Sequence, residues 1–150
     1  MVILKGIPRN ISPELLCVLG QMGHGDEIVL ADANFPSSST CRNGAKEIRA
    51  DGQNIPELLK SIMQLFPLDT YDKPAYVMDL EPQDKARNLP TPIWKEFERI
   101  INEAEPGRQL EVTKLERFKF YEKAKGAFAV VVTSEAALYG NIILKKGVIP

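Results

Sequence analysis

The chain has 150 residues, 44% hydrophobic and 26% charged, with a formal net charge of -1. That length fits one domain with its own core. The basic residues are spread along the chain, with only Lys145-Lys146 as a pair, which argues against a polyanionic partner such as nucleic acid.

The opening run Met1 to Gly6 is too short for the apolar part of a signal peptide, and no run reaches the length of a membrane-spanning helix. The expected compartment is the cytosol, with no membrane contact. Ile11-Ser12-Pro13-Glu14 starts a helix: Ser12 caps the free amides, Pro13 suits the first position, and Glu14 complements the dipole. Leu15, Leu16, Leu19 and Met22 form its apolar stripe, with Cys17 expected as a small core residue. Gly23 and Gly25 end this helix and flank His24. Glu27 to Ala31 reads as a buried strand ending at Asp32, and Asn34 to Gly44 as a polar loop holding Cys41.

Glu47-Ile48-Arg49 is a short edge strand and Asp51-Gly52 a turn. Pro56 to Phe66 predicts a second amphipathic helix stopped by Pro67, and Ala75 to Leu80 a third strand. Pro82 to Pro90 reads as loop. Thr91-Pro92 repeats the cap-plus-proline start, for a helix burying Ile93, Trp94, Phe97, Ile100 and Ile101. Leu110, Val112 and Lys114 alternate as a short strand, and Phe118 to Ala124 is a short helix. Phe128 to Val132 is a β-branched central strand and Asn141 to Leu144 the last strand. The alternation of helices and strands predicts a single-domain α/β sandwich over residues 1–150 with a largely parallel central sheet flanked by helices.

Several chemistries lack their motifs. There is no phosphate-binding glycine loop and no GxGxxG after a strand. One histidine and two scattered cysteines cannot build a His/Cys metal centre or a disulfide scaffold. A carboxylate site for Mg²⁺ stays open by counting, and no GxSxG elbow supports Ser-His-Asp hydrolysis.

The chemistry-bearing candidates are short. His24, between two glycines, can project an imidazole, a group that exchanges protons near neutral pH. Asp32 stands at the carboxyl end of a strand, where open α/β sheets bind ligands. Asp69 lies in a helix-to-strand connection. Arg117 opens Arg117-Phe118-Lys119-Phe120-Tyr121-Glu122, a cation among aromatics suited to the polar and C–H faces of a sugar. Tyr139-Gly140-Asn141 offers a phenol, a tight bend and an amide. Taken singly, each of these also fits an ordinary turn, cap or half-exposed helix face.

In combination, the segments Ile11 to Leu16, Met22 to Ile28, Asp32 to Pro36, Ile48 to Gly52, Arg117 to Glu122 and Tyr139 to Val148 resemble the fucose mutarotase family, a relative of the D-ribose pyranases. The resemblance spans nearly the whole chain and is strongest toward the animal members. It implies interconversion of the α and β anomers of L-fucose by ring opening and reclosure, without cofactor, redox group or metal. It implies His24 as the proton-transfer residue and Asp32, Asp69, Arg117, Tyr139 and Asn141 as sugar-binding. Tyr139 is the expected second proton-transfer group. Pyranases carry a histidine near the Arg117 segment; none is present here, which favours fucose over ribose. Family members form rings with sites near subunit contacts, so a homo-oligomer is expected. The alternatives are pyranose/furanose exchange of the pyranase type and a non-catalytic sugar-binding module. His24 and Asp32 are expected to share a pocket.

Overall fold

A computed structural model describes residues 3–150; Met1 and Val2, the start of the expected non-signal segment, lie outside the described residues. In chain order the elements are α1 (Pro13–Gln21), β1 (Glu27–Ala31), α2 (Ser37–Thr40), β2 (Lys46–Ala50), α3 (Ile55–Ile62), β3 (Ala75–Met78), α4 (Pro82–Ala86), α5 (Pro92–Ala104), β4 (Thr113–Leu115), α6 (Arg117–Lys125), β5 (Ala129–Thr133) and β6 (Ile142–Lys145). The strands form one sheet in the order β2-β5-β1-β6-β3-β4. Among them only β6 runs antiparallel, between β1 and β3. The sheet is thus largely parallel, as the alternating pattern predicts.

Period-2 alternation sorts the strand side chains onto two faces. Ile28 and Leu30 of β1, Ala129 and Val131 of β5, and Ile142 and Leu144 of β6 pack with the apolar stripes of α1, α3 and α5. Val29, Ala31, Val130 and Ile143 face the other way, against Phe120 and Ala124 of α6 and Phe35 before α2. Strand β5, the β-branched run, lies between β2 and β1 and is buried on both faces.

Helix starts follow local chemistry. The Ser12 hydroxyl accepts the Leu15 N–H at 3.1 Å. The Asn54 side chain accepts the Glu57 N–H at 2.9 Å, so α3 begins at Ile55. Glu116 caps α6 by accepting the Phe118 and Lys119 amides. Thr91 differs from the expectation: its side chain makes no cap bond, and its carbonyl takes the Trp94 N–H instead.

Other boundaries move as well. The α3 pattern extends to Phe66, yet the helix ends at Ile62, where bonds from Gln64 to Ser61 and Leu65 to Ile62 tighten the backbone. Met63 and Phe66 remain in the core, which is why the apolar periodicity outlasts the helix. β3 stops at Met78, two residues early. The polar stretch Pro82 to Pro90 contains α4, and Asn34 to Gly44 contains α2 followed by a tight 3-10 turn at Cys41–Asn43. Cys17 is exposed, not core: at 3.6 residues per turn it lies opposite Leu15 and Leu19 on α1. No described helix is long and apolar enough to cross a membrane.

Candidate active site

The candidate residues fall into two groups at opposite ends of β1. His24 precedes the strand and Asp32 follows it, with five strand residues between, about 17 Å of extended chain. Within one chain they therefore do not share a pocket, contrary to the sequence expectation. Adjacency in sequence misled because a strand separates its own ends by its length.

At the carboxyl end of β1 lies a depression of about 270 Å³, walled by Phe35, Met78 and Leu138 and edged by Asp32, Arg117, Tyr121, Tyr139 and Asn141. This is close to the lower end of small-molecule sites, about 300 Å³. Its position outside the carboxyl ends of parallel strands is where such sheets place ligands. Antiparallel β6 delivers Asn141 to this end, and the Asn141 Oδ1 accepts the Asp32 N–H at 2.7 Å. Its amide nitrogen has no protein partner among the described residues, so it is free to donate to a ligand.

Asp32 is buried, and its two oxygens accept the Asn34 N–H at 3.0 Å and the Gly140 N–H at 3.2 Å. Burial raises its pKa above the ordinary carboxylate value, and the backbone N–H groups only partly offset this. Gly140 is required here: a Cβ would stand 2.9 Å from the Ala137 carbonyl oxygen. Tyr139 before it has φ 57°, a left-handed conformation unusual for an aromatic residue. The Trp94 Nε1–H donates to the Tyr139 carbonyl at 2.9 Å and holds that conformation.

The Tyr139 hydroxyl accepts the Glu81 N–H at 3.1 Å and donates its only proton to Asp84. Its one proton is thus engaged within the protein, by the Asp84 carboxylate. Tyr121, in the segment singled out for its aromatics but not itself chosen, is the other phenol on the depression. Its oxygen accepts from the Arg117 Nε at 3.5 Å, and its own proton has no acceptor among the described residues. Arg117 lies over the Phe118 and Tyr121 rings at 5.4 and 5.6 Å, with its Nη1 3.8 Å from the Glu81 carboxylate.

At the amino end of β1, the His24 Nε2 lies 3.0 Å from the Asp69 Oδ1. The imidazole is 43% exposed while Asp69 is buried, and Nδ1 is the ring nitrogen without a partner among the described residues. Burial pushes the Asp69 pKa up, but His24 and the Tyr71 and Thr70 amides outweigh it, and the carboxylate sits below its ordinary value. Asp69, expected to bind sugar, meets the His24 imidazole here and is placed to orient it.

Three residues that sequence reasoning missed hold Asp69 in place. Arg108 donates to the carbonyls of Leu68 at 3.2 Å and Asp69 at 2.7 Å. Glu105 accepts the Leu68 N–H at 2.7 Å. Gly147 lets the segment cross β6 closely, since a Cβ there would be 2.5 Å from the Leu68 carbonyl oxygen. None carries a local signal, because each acts on backbone brought near only by folding. Among the described residues no three His, Cys, Asp or Glu side chains converge as metal ligands.

Comparison with known proteins places this arrangement. The family model described as the RbsD / FucU transport protein family matches residues 5–149. The chain is 63% identical over 150 residues to a fucose mutarotase of Danio rerio, covering 100% of this chain and 97% of that one. It is 61% identical over 150 residues to the Homo sapiens fucose mutarotase, covering 99% and 96%. Its structure matches the fucose mutarotase of Streptococcus pneumoniae, solved in complex with L-fucose, with a TM-score of 0.87 at 49% identity, over 98% of this chain and 100% of that one. With a family model matching nearly its full length and relatives this similar, the chain belongs to the RbsD / FucU family.

Proposed function

We propose that this protein is an isomerase that interconverts the α and β anomers of L-fucose. The observation that carries the reading is the full-length match to a mutarotase solved with L-fucose, taken with a sugar-sized depression edged by Asp32, Arg117 and Asn141. Mutarotation needs the anomeric hydroxyl to lose a proton while the ring oxygen gains one; closure of the open aldehyde on its other face then yields the other anomer. An imidazole supported by a carboxylate does such proton transfer near neutral pH. We assign His24 as the acid/base, oriented by Asp69. Asp32 accepts sugar hydroxyls, and Arg117 and Asn141 donate to sugar oxygens. Tyr121, whose proton is free, takes the second proton-transfer part, and Tyr139 serves as a hydrogen-bond acceptor.

The separation of His24 from the depression has a consequence. A complete site needs two copies, with the exposed His24-Asp69 end of one meeting the Asp32 end of another. The exposed Tyr71 beside His24 and the exposed Leu138 and Phe118 near the depression are apolar surface suited to such a contact. This supports a homo-oligomer with shared sites. Cytoplasmic location remains part of the proposal.

The test is saturation transfer between the anomeric protons of L-fucose by NMR, with wild type and His24→Ala. Catalysed exchange in wild type that drops at least a hundredfold in the folded variant supports the assignment. Exchange by wild type on D-ribose ring forms but not on fucose would favour the pyranase alternative. No exchange on either would leave a sugar-binding module, and an active His24→Ala would move the acid/base elsewhere.

A further inference from the structure

We propose that Asp84 is a positioning residue that fixes Tyr139 as an obligate hydrogen-bond acceptor in the sugar site, so that the ligand group facing Tyr139 must be a hydroxyl that donates. The inference rests on the mutarotase reading for its activity readout, but its geometry is independent of it.

A phenol has one proton and two acceptor positions. In Tyr139 the proton goes to the Asp84 Oδ2 and one acceptor position takes the Glu81 N–H. One lone pair remains, and Tyr139 borders the depression. A ligand group there can only donate. Asp84 is itself held: its Oδ1 accepts the Arg87 Nε–H at 2.9 Å, and it sits in the first turn of α4. The turn that supplies the Glu81 amide thus also supplies the carboxylate, so α4 sets both partners of the phenol at once.

A relay in which Tyr139 passes its proton to Asp84 while taking one from the sugar is the competing use of the same contact. The charges disfavour it. The bonds from Tyr139 and Arg87 hold the Asp84 carboxylate below its ordinary pKa, while burial and Asp84 raise that of the Tyr139 phenol. A weak base opposite a weak acid keeps the proton on Tyr139. The contact orients; it does not transfer. Donating its proton to a carboxylate also leaves the phenol oxygen richer in electron density, which strengthens its acceptance of a sugar hydroxyl.

The test combines a double-mutant cycle with a titration. Asp84→Ala should lower kcat/KM for L-fucose exchange about tenfold, and Asp84→Asn, whose amide oxygen still accepts the phenol proton, should retain much of the activity. In a Tyr139→Phe background, Asp84→Ala should cause no further loss; full additivity would overturn the proposal, because Asp84 would then act through the fold and not through Tyr139. Separately, the ¹³Cζ signal of Tyr139, assigned by its disappearance in Tyr139→Phe, should titrate at lower pH in Asp84→Ala than in wild type. An unmoved midpoint overturns the proposal whatever the activity. Wild type without fucose exchange would remove the mutarotase reading alone, and the titration would still decide whether Asp84 sets Tyr139.

Discussion

The two ends of β1 each carry a buried aspartate, and their environments push them in opposite directions. Asp32 and Asp69 are 5% and 3% exposed, both nearly closed to solvent, yet Asp32 lies deeper in the protein and is the more heavily desolvated. Asp32 accepts only neutral backbone N–H groups and its pKa is raised. Asp69 meets His24 in addition to the Thr70 and Tyr71 amides and its pKa is lowered. Depth and the presence or absence of a charged-capable partner together decide which form a buried carboxylate favours. In the proposed mechanism, Asp69 is the ionised partner that steadies the imidazole, while Asp32 is a desolvated acceptor for hydroxyls.

The comparison breaks most visibly by separating the ends genetically. His24→Ala and Asp32→Ala should each be nearly inactive. Reassembled together from unfolded chains, they should recover about a quarter of the wild-type sites if each site joins two copies by random pairing. Mixtures that stay inactive would sink the shared-site reading.

Asp69→Asn should lower exchange by roughly 10²-fold or more, mainly in kcat, because the imidazole loses its oriented, charged partner. A loss confined to KM would mean that Asp69 touches the sugar instead.

The two glycines sharpen the contrast at smaller amplitude. Gly147→Ala forces a Cβ to 2.5 Å from the Leu68 carbonyl oxygen and Gly140→Ala forces one to 2.9 Å from that of Ala137. Each should cost about 1–3 kcal/mol of stability, measured by denaturant unfolding. Gly147→Ala should disturb the His24 end and Gly140→Ala the Asp32 end; ¹⁵N shift changes spread equally over both ends in either variant would contradict this division.

The smallest effect is in pH. By ¹³Cγ NMR, Asp69 should titrate below and Asp32 above an ordinary aspartate, about 3.9. For Asp69, whose folded pKa is depressed, the stability contribution is present above the unfolded value and is lost as pH falls through the folded one. For Asp32, whose folded pKa is raised, a cost to stability grows as pH rises from the unfolded value through the folded one. Acid unfolding of Asp69→Asn should therefore begin from lower stability at neutral pH and fall less steeply below about pH 4 than in wild type. Parallel curves would show that Asp69 is not ionised by its partners in the folded chain.

Much of this was legible along the chain. Ser12-Pro13, the β-branched run before Thr133 and the alternation of elements predict local structure because they act on near neighbours. Asp32, Arg117, Tyr139 and Asn141 were identified together and do meet at one depression. The pairing of His24 with Asp69 spans 45 residues and the clamp of Arg108 on Asp69 spans 39. Nothing local encodes either, since both depend on where β3 and α5 come to rest.

By itself, then, the amino-acid order determined the type of each main element, the largely parallel sheet and the residue types available for sugar chemistry, because caps, periodicity and β-branching act within a few residues. Only the tertiary structure decided that β6 runs backwards to bring Asn141 to Asp32, that Asp84 takes the proton of Tyr139, and that His24 lies a strand's length away from the residues it was expected to join. Those are distances between segments remote in sequence, and they are set by how the sheet orders and orients its strands.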